Sequence, residues 1–394
     1  MIEYAHNVLW NLSQISSHTV RPVRLTPLLK WAGGKEQELK HIYPLIPPFN
    51  TYYEPFVGGG AVFFSIQGDK KLINDKSPEL VDLYRMVAES NQDFFWCLRA
   101  LSNTWKCISE LVDKNAVELV NMYRAYSNDM CSIEDVRERI FAFVSWHSGE
   151  FNRMVELFFA LNVKTFIFEI KRNLVSKTAR MKAIESKKGK LCERDILANL
   201  ESACKSAFYM YLRHLHNSTA EYQVLPSVAA AIFFFVRENA YASMFRYNSQ
   251  GKFNVPYGGI SYNRKDLTRK INYMQSAEMQ KHLANTIIEN MDFEAFLRKH
   301  EPQEDDFIFL DPPYDTEFST YMRNEFDRKD QERLATYLLD ECKAKFVLVI
   351  KNTTTIQKLY CNMGLRITSF DKRYLVSFQD RNNREAEHLI ITNY

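Results

Sequence analysis

The 394-residue chain lacks any long apolar run. Its longest, Val228 to Val236, is nine residues closed by Arg237, far short of the ~20 needed to cross a bilayer. The first thirty residues carry His, Asn and Arg with no continuous apolar segment, so no signal peptide is readable and no membrane partner is expected. The seven cysteines, at 97, 107, 131, 192, 204, 342 and 361, include no CxxC pair. That spacing suggests neither a disulfide framework nor a zinc site, and it fits a reducing cytoplasm without a bound metal. Internal repeats and low-complexity tracts are absent. Hydrophobic residues at 46% and charged residues at 25% exclude disorder and fibres. At roughly 150 residues per domain, the length suits two domains.

A formal net charge of +3 hides an asymmetry. Residues 100 to 285 hold 26 Lys plus Arg against 18 Asp plus Glu, and residues 164 to 194 alone hold ten basic against three acidic side chains. A basic middle between mildly acidic flanks is the pattern of a domain that meets a polyanion. A Lys-rich helix is also an ordinary solvated face, so the charge alone does not decide.

Residues 1 to 24 read as an irregular N-terminal arm. From Tyr52 the pattern sharpens: Tyr52 to Val57 reads as a buried strand, Gly58-Gly59-Gly60 cannot continue it, and Ala61 to Ile66 starts a helix. Lys71 to Asn74 is a second strand ending at Asp75, and Ser77-Pro78-Glu79 opens a capped helix. Strand, glycine turn, helix and strand ending in acid is the opening of a parallel α/β sheet. From about 80 to 240 glycine and proline are scarce and Leu, Ala, Glu, Lys and Met abound, a helical texture. It is clearest from Leu191 to Leu215, where apolar residues recur every three or four positions. Tyr241 to Tyr262 turns polar, aromatic and glycine-containing, a hairpin or loop. Strands return at Phe307–Leu310, Phe346–Ile350 and Leu389–Thr392. The expected fold is therefore an α/β domain split by a mostly helical insertion. Its catalytic part spans 25–90 and 285–394, and the insertion spans 91–284 with a hairpin near 241–262.

Two constellations carry chemistry. Backbone approaches a ligand closely only where no side chain intervenes, and an acid about 20 positions later, at the end of the next strand, accepts bonds from ribose hydroxyls. Glu54, Gly58, Gly60 and Asp75 fit that arrangement, although a tight turn followed by a solvent-facing Asp also fits. The second is Asp311-Pro312-Pro313-Tyr314, directly after the strand Phe307–Leu310. Two prolines cannot extend a central strand, so the chain turns at the carboxyl edge of the sheet, where open α/β sheets bind ligands. A carboxylate, a carbonyl and an aromatic face at one turn suit a planar ring bearing an amino group. Asp311 and the Pro312 carbonyl would accept its two N–H bonds while Tyr314 stacks on it. A Pro-rich loop with a capping Asp is the plainer account of such a string.

Taken together, Lys30-Trp31-Ala32-Gly33-Gly34-Lys35, Glu54-Pro55-Phe56-Val57-Gly58-Gly59-Gly60, Asn74-Asp75 and Asp311-Pro312-Pro313-Tyr314 resemble the Dam-like family of N6-adenine-specific DNA methyltransferases. The stretch from Arg246 through Asn248, Lys252 and Asn254 to Gly258 is similar to that family's DNA-contacting hairpin. Phe318, Tyr321, Phe326, Asp330-Gln331 and the closing Leu389 to Tyr394 follow its pattern too. The resemblance implies a Rossmann-like sheet with an inserted helical DNA-recognition domain. The implied activity is methyl transfer from S-adenosyl-L-methionine to N6 of an adenine flipped out of double-stranded DNA. By resemblance Trp31, Gly33 and Lys35 line the cofactor's methionine end, Phe56, Gly58 and Gly60 hold its backbone side, and Asp75 binds its ribose. Asp292 and Phe293 match the segment beside its adenine, although Asp292 equally suits a helix cap. Catalysis falls to Asp311, Pro312 and Tyr314. DNA contacts are expected from Arg246, with Asn248 and Asn254 shaping the hairpin, and from Lys171, Arg172 and Lys177, with Arg180 and Lys182 in the same basic cluster. A phosphate-bound or structural Arg246 and a solvated helix face are the alternatives.

The implied setting is the cytoplasm of a bacterial or phage-infected cell, with a monomer that works alone or beside a cognate restriction endonuclease. Departures from the family pattern concern recognition. Residues 105 to 225 have no assignable counterpart, Gly259-Ile260 stands where a basic residue is expected, and Lys351-Asn352 replaces a Ser-Asn pair. The recognition sequence, GATC included, is left open. The rival readings are N4-cytosine methylation, disfavoured by Asp rather than Ser at position 311, RNA adenine methylation, and a DNA-binding regulator that lost turnover.

Overall fold

The computed structural model describes residues 25–31, 33–154, 163–313, 326–373 and 385–394. The N-terminal arm, Tyr314, Phe318 and Tyr321 lie outside them. Seven strands form one sheet: β1 (Thr51–Glu54), β2 (Lys70–Asn74), β3 (Thr286–Glu289), β4 (Phe307–Leu310), β5 (Lys345–Lys351), β6 (Arg366–Arg373) and β7 (Glu385–Thr392). Their spatial order is β3-β2-β1-β4-β5-β7-β6. The pairs β1–β2, β1–β4, β2–β3 and β4–β5 are parallel, while β7 runs antiparallel to both β5 and β6. The strand order therefore reverses between β1 and β4. At such a switch point the following loops diverge and leave a crevice outside the carboxyl ends of the strands.

Strands covered on both faces read as continuous apolar runs, and Phe307-Ile308-Phe309-Leu310 is buried throughout. Alternate residues go to opposite faces. Ile308, Leu310, Phe346, Leu348 and Ile350 join Phe296, Leu297, Leu334 and Tyr360 on one side. Tyr52, Ile73, Phe307, Phe309, Val347 and Val349 point to the other, into a cluster that continues through the helices between β2 and β3.

Those helices are α1 (Pro78–Ala88), α2 (Gln92–Lys114), α3 (Ala116–Ser127), α4 (Ile133–Trp146), α5 (Ser148–Met154), α6 (Val163–Lys188), α7 (Glu193–Asn217), α8 (Pro226–Asn239), α9 (Thr268–Met274) and α10 (Ala277–Leu283). Three more follow: α11 (Phe293–His300), α12 (Arg328–Thr336) and α13 (Thr354–Tyr360). The nine-residue apolar run is the body of α8, buried on almost every side and packed on α1, α2 and α7. A helix that is apolar all round belongs in a core, which explains the run without a membrane. Among the described residues no helix is long and apolar enough to cross one.

Three sequence expectations need correction. The helix expected from Ala61 to Ile66 is one short 3-10 turn, Phe63–Ser65. Phe63 and Phe64 are both buried although adjacent, which one helix face cannot provide, and β2 begins at Lys70, leaving no length for a helix. The short strand β3 and the charged strand β6 escaped the sequence because both lie at sheet edges, where polar side chains are tolerated and the apolar signal fades.

Candidate active site

The loops after β1, β2, β3 and β4 leave the carboxyl edge of adjacent strands and carry Phe56–Gly60, Asp75, Asp292 and Asp311 respectively. Asp75 sits directly after β2 because Asn74 is clamped there. The buried Asn74 amide donates to the carbonyls of Pro55 (3.0 Å) and Met291 (3.1 Å) and accepts from the Met291 N–H (3.0 Å). One side chain thus ties three of the four loops together. The Asp75 carboxylate accepts from Gly58 N–H at 3.0 Å and Ser77 N–H at 2.9 Å. Burial pushes it up to about 6, against the pull of those backbone donors.

The glycine turn is closed by sterics. Gly58 and Gly60 have positive φ (48° and 77°). A Cβ on Gly58 would lie 2.9 Å from the Trp31 ring, and one on Gly60 would lie 2.5 Å from the Tyr84 hydroxyl. The Tyr84 hydroxyl also donates to the Gly58 carbonyl at 3.0 Å. Next to the turn, the rings of Phe56, Phe293 and Phe326 meet pairwise at 5.3 to 5.5 Å and form an apolar corner. Phe293 opens α11, and Arg333 of α12 lies 4.9 Å over its ring.

Asp292 is the N-cap of α11, accepting from Glu294 N–H at 3.0 Å, and it pairs with Arg333 at 2.6 Å. Its carboxylate therefore serves as the helix cap that the sequence offered as the alternative.

Lys35 and Asp311, assigned on sequence to different ligands, meet each other. The Lys35 ammonium bonds the Asp311 carboxylate at 2.5 Å and the Gly33 carbonyl at 2.9 Å, with side chains 3% and 19% exposed. Glu54 lies in the same electrostatic cluster. Burial raises its carboxyl well above the usual range, the nearby Asp311 charge raises it further, and the Tyr52 hydroxyl donates to it at 2.6 Å. The Pro312-Pro313 turn is held from α12, where the buried Gln331 amide donates to the Pro313 carbonyl at 3.1 Å.

The Tyr241–Tyr262 region forms a narrow hairpin pinned by bridges Ala240–Tyr257 and Tyr247–Phe253. Asn248 closes its turn, accepting from Gln250 and Lys252 N–H at 3.0 and 2.9 Å. Arg246 bonds the side chain (2.7 Å) and carbonyl (3.1 Å) of Asn254, so part of its guanidinium is spent inside the hairpin. Arg213 of α7 bonds the next carbonyl, Val255, at 2.8 Å. Burial lowers its pKa, and the like charges of Arg172 and Arg246 lower it further. Arg213 thus lies within electrostatic range of Arg172 and Arg246, which stand 74 residues apart in the sequence and were both expected there to contact DNA.

The rest of the α6 cluster divides. Arg172 pairs with Glu169 at 2.7 Å, Lys171 lies 4.4 Å over the Phe141 ring, Lys177 is half-buried, and Lys182 is tied to Asp129 at 2.5 Å. Asn74, Arg213, Arg237, Gln331 and Arg333 had no sequence-based role. Asn74 and Gln331 stood inside motifs that carry the resemblance, and Arg237 was visible as the cation closing a wholly apolar run.

The chain is 24% identical over 377 residues to the Type II methyltransferase M.CviBI of Paramecium bursaria Chlorella virus NC1A, covering 94% of this chain and 100% of that one. It is 23% identical over 382 residues to the Type II methyltransferase M1.LlaDCHI of Lactococcus lactis subsp. cremoris, covering 94% and 96%. The Retron Ec67 DNA adenine methylase of Escherichia coli matches at 22% over 343 residues, covering 86% and 81%. Residues 31–374 match the family described as D12 class N6 adenine-specific DNA methyltransferase, and with that span covered the chain belongs to this family.

Proposed function

We propose that the chain transfers the methyl group of S-adenosyl-L-methionine to N6 of an adenine flipped out of double-stranded DNA. In this reading residues 25–90 and 285–394 form the catalytic part and 91–284 the target-recognition insertion. The observation that carries it is the Lys35–Asp311 ion pair at the β1–β4 switch point, beside the Gly58–Asp75 turn.

The residues present fit the cofactor. Trp31 and Tyr84 close around a turn that admits no side chain at Gly58 or Gly60. Asp75 keeps acceptor capacity beyond its two backbone donors, suited to ribose hydroxyls. Phe56, Phe293 and Phe326 supply apolar faces for an adenine ring, with Asp292 at the rim. Trp31, Gly33 and Lys35 border the methionine end. When bound, S-adenosylmethionine supplies a methyl group on a sulfonium, a carbon already joined to its leaving group.

The chain's task is then alignment and preorganised charge. The lone pair of an exocyclic adenine nitrogen is delocalised into its ring, which makes it a poor nucleophile. Asp311 and the Pro312 carbonyl accept its two N–H bonds, return density to nitrogen and orient it. Lys35 holds the Asp311 carboxylate in the crevice. Gln331 holds the turn from behind through Pro313. Stacking by Tyr314 rests on the family resemblance, since Tyr314 lies outside the described residues. Extruding the base costs a few kcal/mol, which contacts elsewhere on the DNA offset. Arg246, Arg213, Arg172, Lys171 and Lys177 supply that binding, with Asn248 and Asn254 holding the hairpin in shape.

The setting proposed is a monomer in a bacterial or phage-infected cell, alone or beside a cognate restriction endonuclease. The test is methyl transfer from labelled S-adenosylmethionine to unmethylated duplex DNA, followed by nucleoside analysis and mapping. N6-methyladenine at a defined short site is expected. Label in N4-methylcytosine, or in RNA only, would overturn the reading.

A further inference from the structure

We infer that Arg237 is a positioning residue that couples cofactor binding to DNA binding, by tying the loop over the glycine turn to the entry of the hairpin. The inference rests on the proposed function and goes beyond it by naming the link between the two ligand sites.

Arg237 is 3% exposed within α8. A buried cation is costly unless hydrogen-bonded, so its partners are held tightly. Those partners come from two distant segments. It donates to the carbonyls of Met244 (2.7 Å) and Ser243 (3.4 Å) at the hairpin entry, and to the carbonyl of Lys30 (3.4 Å), 207 residues away in the chain. Its guanidinium also lies 3.1 Å from the centre of the Phe245 ring and 5.8 Å from that of Trp31.

Trp31 meets Phe245 edge-on at 4.3 Å and lies directly against Gly58. Asp75 holds the N–H of Gly58 on the far side. Asp75, Gly58, Trp31, Phe245 and Arg237 are therefore one unbroken line of contact from the ribose acid to the hairpin.

The hairpin entry is strained, which gives this line something to act on. Ala242 and Ser243 are consecutive non-glycine residues with left-handed φ (51° and 53°). Such conformations persist only where the surroundings over-determine them. Arg237 does so by binding the carbonyls of Ser243 and Met244. Its buried Nε has no partner among the described residues, and an unpaired donor in a core is costly. An occupant that fixes Trp31 and Gly58 thereby fixes the hairpin entry and lowers the cost of seating DNA. Linkage makes the effect reciprocal.

The experiment measures binding of S-adenosyl-L-homocysteine by titration calorimetry, without and with duplex DNA carrying the mapped site. For the wild type, DNA is expected to tighten this binding about tenfold. Arg237→Lys keeps the charge but cannot span both segments, and its ratio is expected to fall to within about twofold of one while each ligand alone shifts by less than about threefold. Phe245→Leu, which leaves Arg237 in place and interrupts the line, is expected to lower the ratio as well. If Arg237→Lys does not fold, Phe245→Leu decides.

A wild-type ratio of one, or an unchanged ratio in a folded variant, overturns the coupling. A wild type that binds neither ligand alone overturns the cofactor and DNA reading itself, and the coupling with it.

Discussion

At the carboxyl edge of the sheet, Asp75 is held by backbone amides and Asp311 pairs with Lys35, each just beyond the end of a strand. Between β2 and β3, carboxylates are matched with cations that join one segment of the helical region to another. Asp129 takes Lys182 at 2.5 Å, Glu185 takes Arg124 at 3.4 Å, and Glu238 takes Lys265 at 2.8 Å. On the proposed reading the first arrangement keeps its carboxylates for a ligand, whereas the second consumes charge in packing. The count of lysines in the basic middle is therefore no guide to which of them meet phosphate. On the proposed DNA reading, contact with the hairpin is the better guide, and it favours Arg213, bonded to Val255, beside Arg246.

The sharpest way to break this contrast is to remove its central carboxylate. Asp311→Ala is expected to lower single-turnover methyl transfer at least ~100-fold while S-adenosylmethionine still binds by calorimetry. Near-normal turnover would show that the edge carboxylate is structural, like those of the helices. Lys35→Met comes next. It removes the cation from a partly buried carboxylate, so both melting temperature and turnover are expected to fall. A loss confined to cofactor affinity would return Lys35 to the methionine end alone.

Asp75 sharpens the comparison through pH. Its carboxyl is raised to about 6 from an ordinary 3.8. A raised carboxyl favours the protonated fold, so its contribution to stability is full below about 4 and is lost as pH rises through about 6. Ribose recognition needs the opposite form. Cofactor affinity is thus expected to weaken as pH falls through about 6, and Asp75→Asn is expected to weaken it at all pH and flatten the profile. A profile unchanged in that variant would locate the titration elsewhere.

The smallest effects belong to the basic residues. Arg213→Gln is expected to reduce the log–log salt slope of DNA binding by about one, and the triple change of Lys171, Arg172 and Lys177 to Gln is expected to flatten it too. A wild-type slope in the triple variant would make that part of α6 plain solvated surface.

Much of the edge was legible because its chemistry is local. Gly58, Gly60, Asp75 and Asp311 each sit within a few residues of a strand end, and β4 and β5 announce themselves by buried apolar runs. The edge strands β3 and β6 were missed because solvent on one side dilutes that signal. Asp292 was ambiguous for a related reason: capping a helix and lining a pocket ask for the same residue at the same place.

The sequence by itself determined the parts, namely which strands carry acids at their ends, where glycine is obligatory, and that the middle is helical and basic. Pairing across long separations is another matter. Lys35 on Asp311, Asn74 clamping three loops, Arg213 on the Val255 carbonyl, and Arg237 holding both Lys30 and Met244 were decided only by the tertiary structure. Short-range steric and hydrogen-bond preferences are written into neighbouring residues, whereas the meeting of two charges hundreds of positions apart depends on strand order and on the core that fixes it.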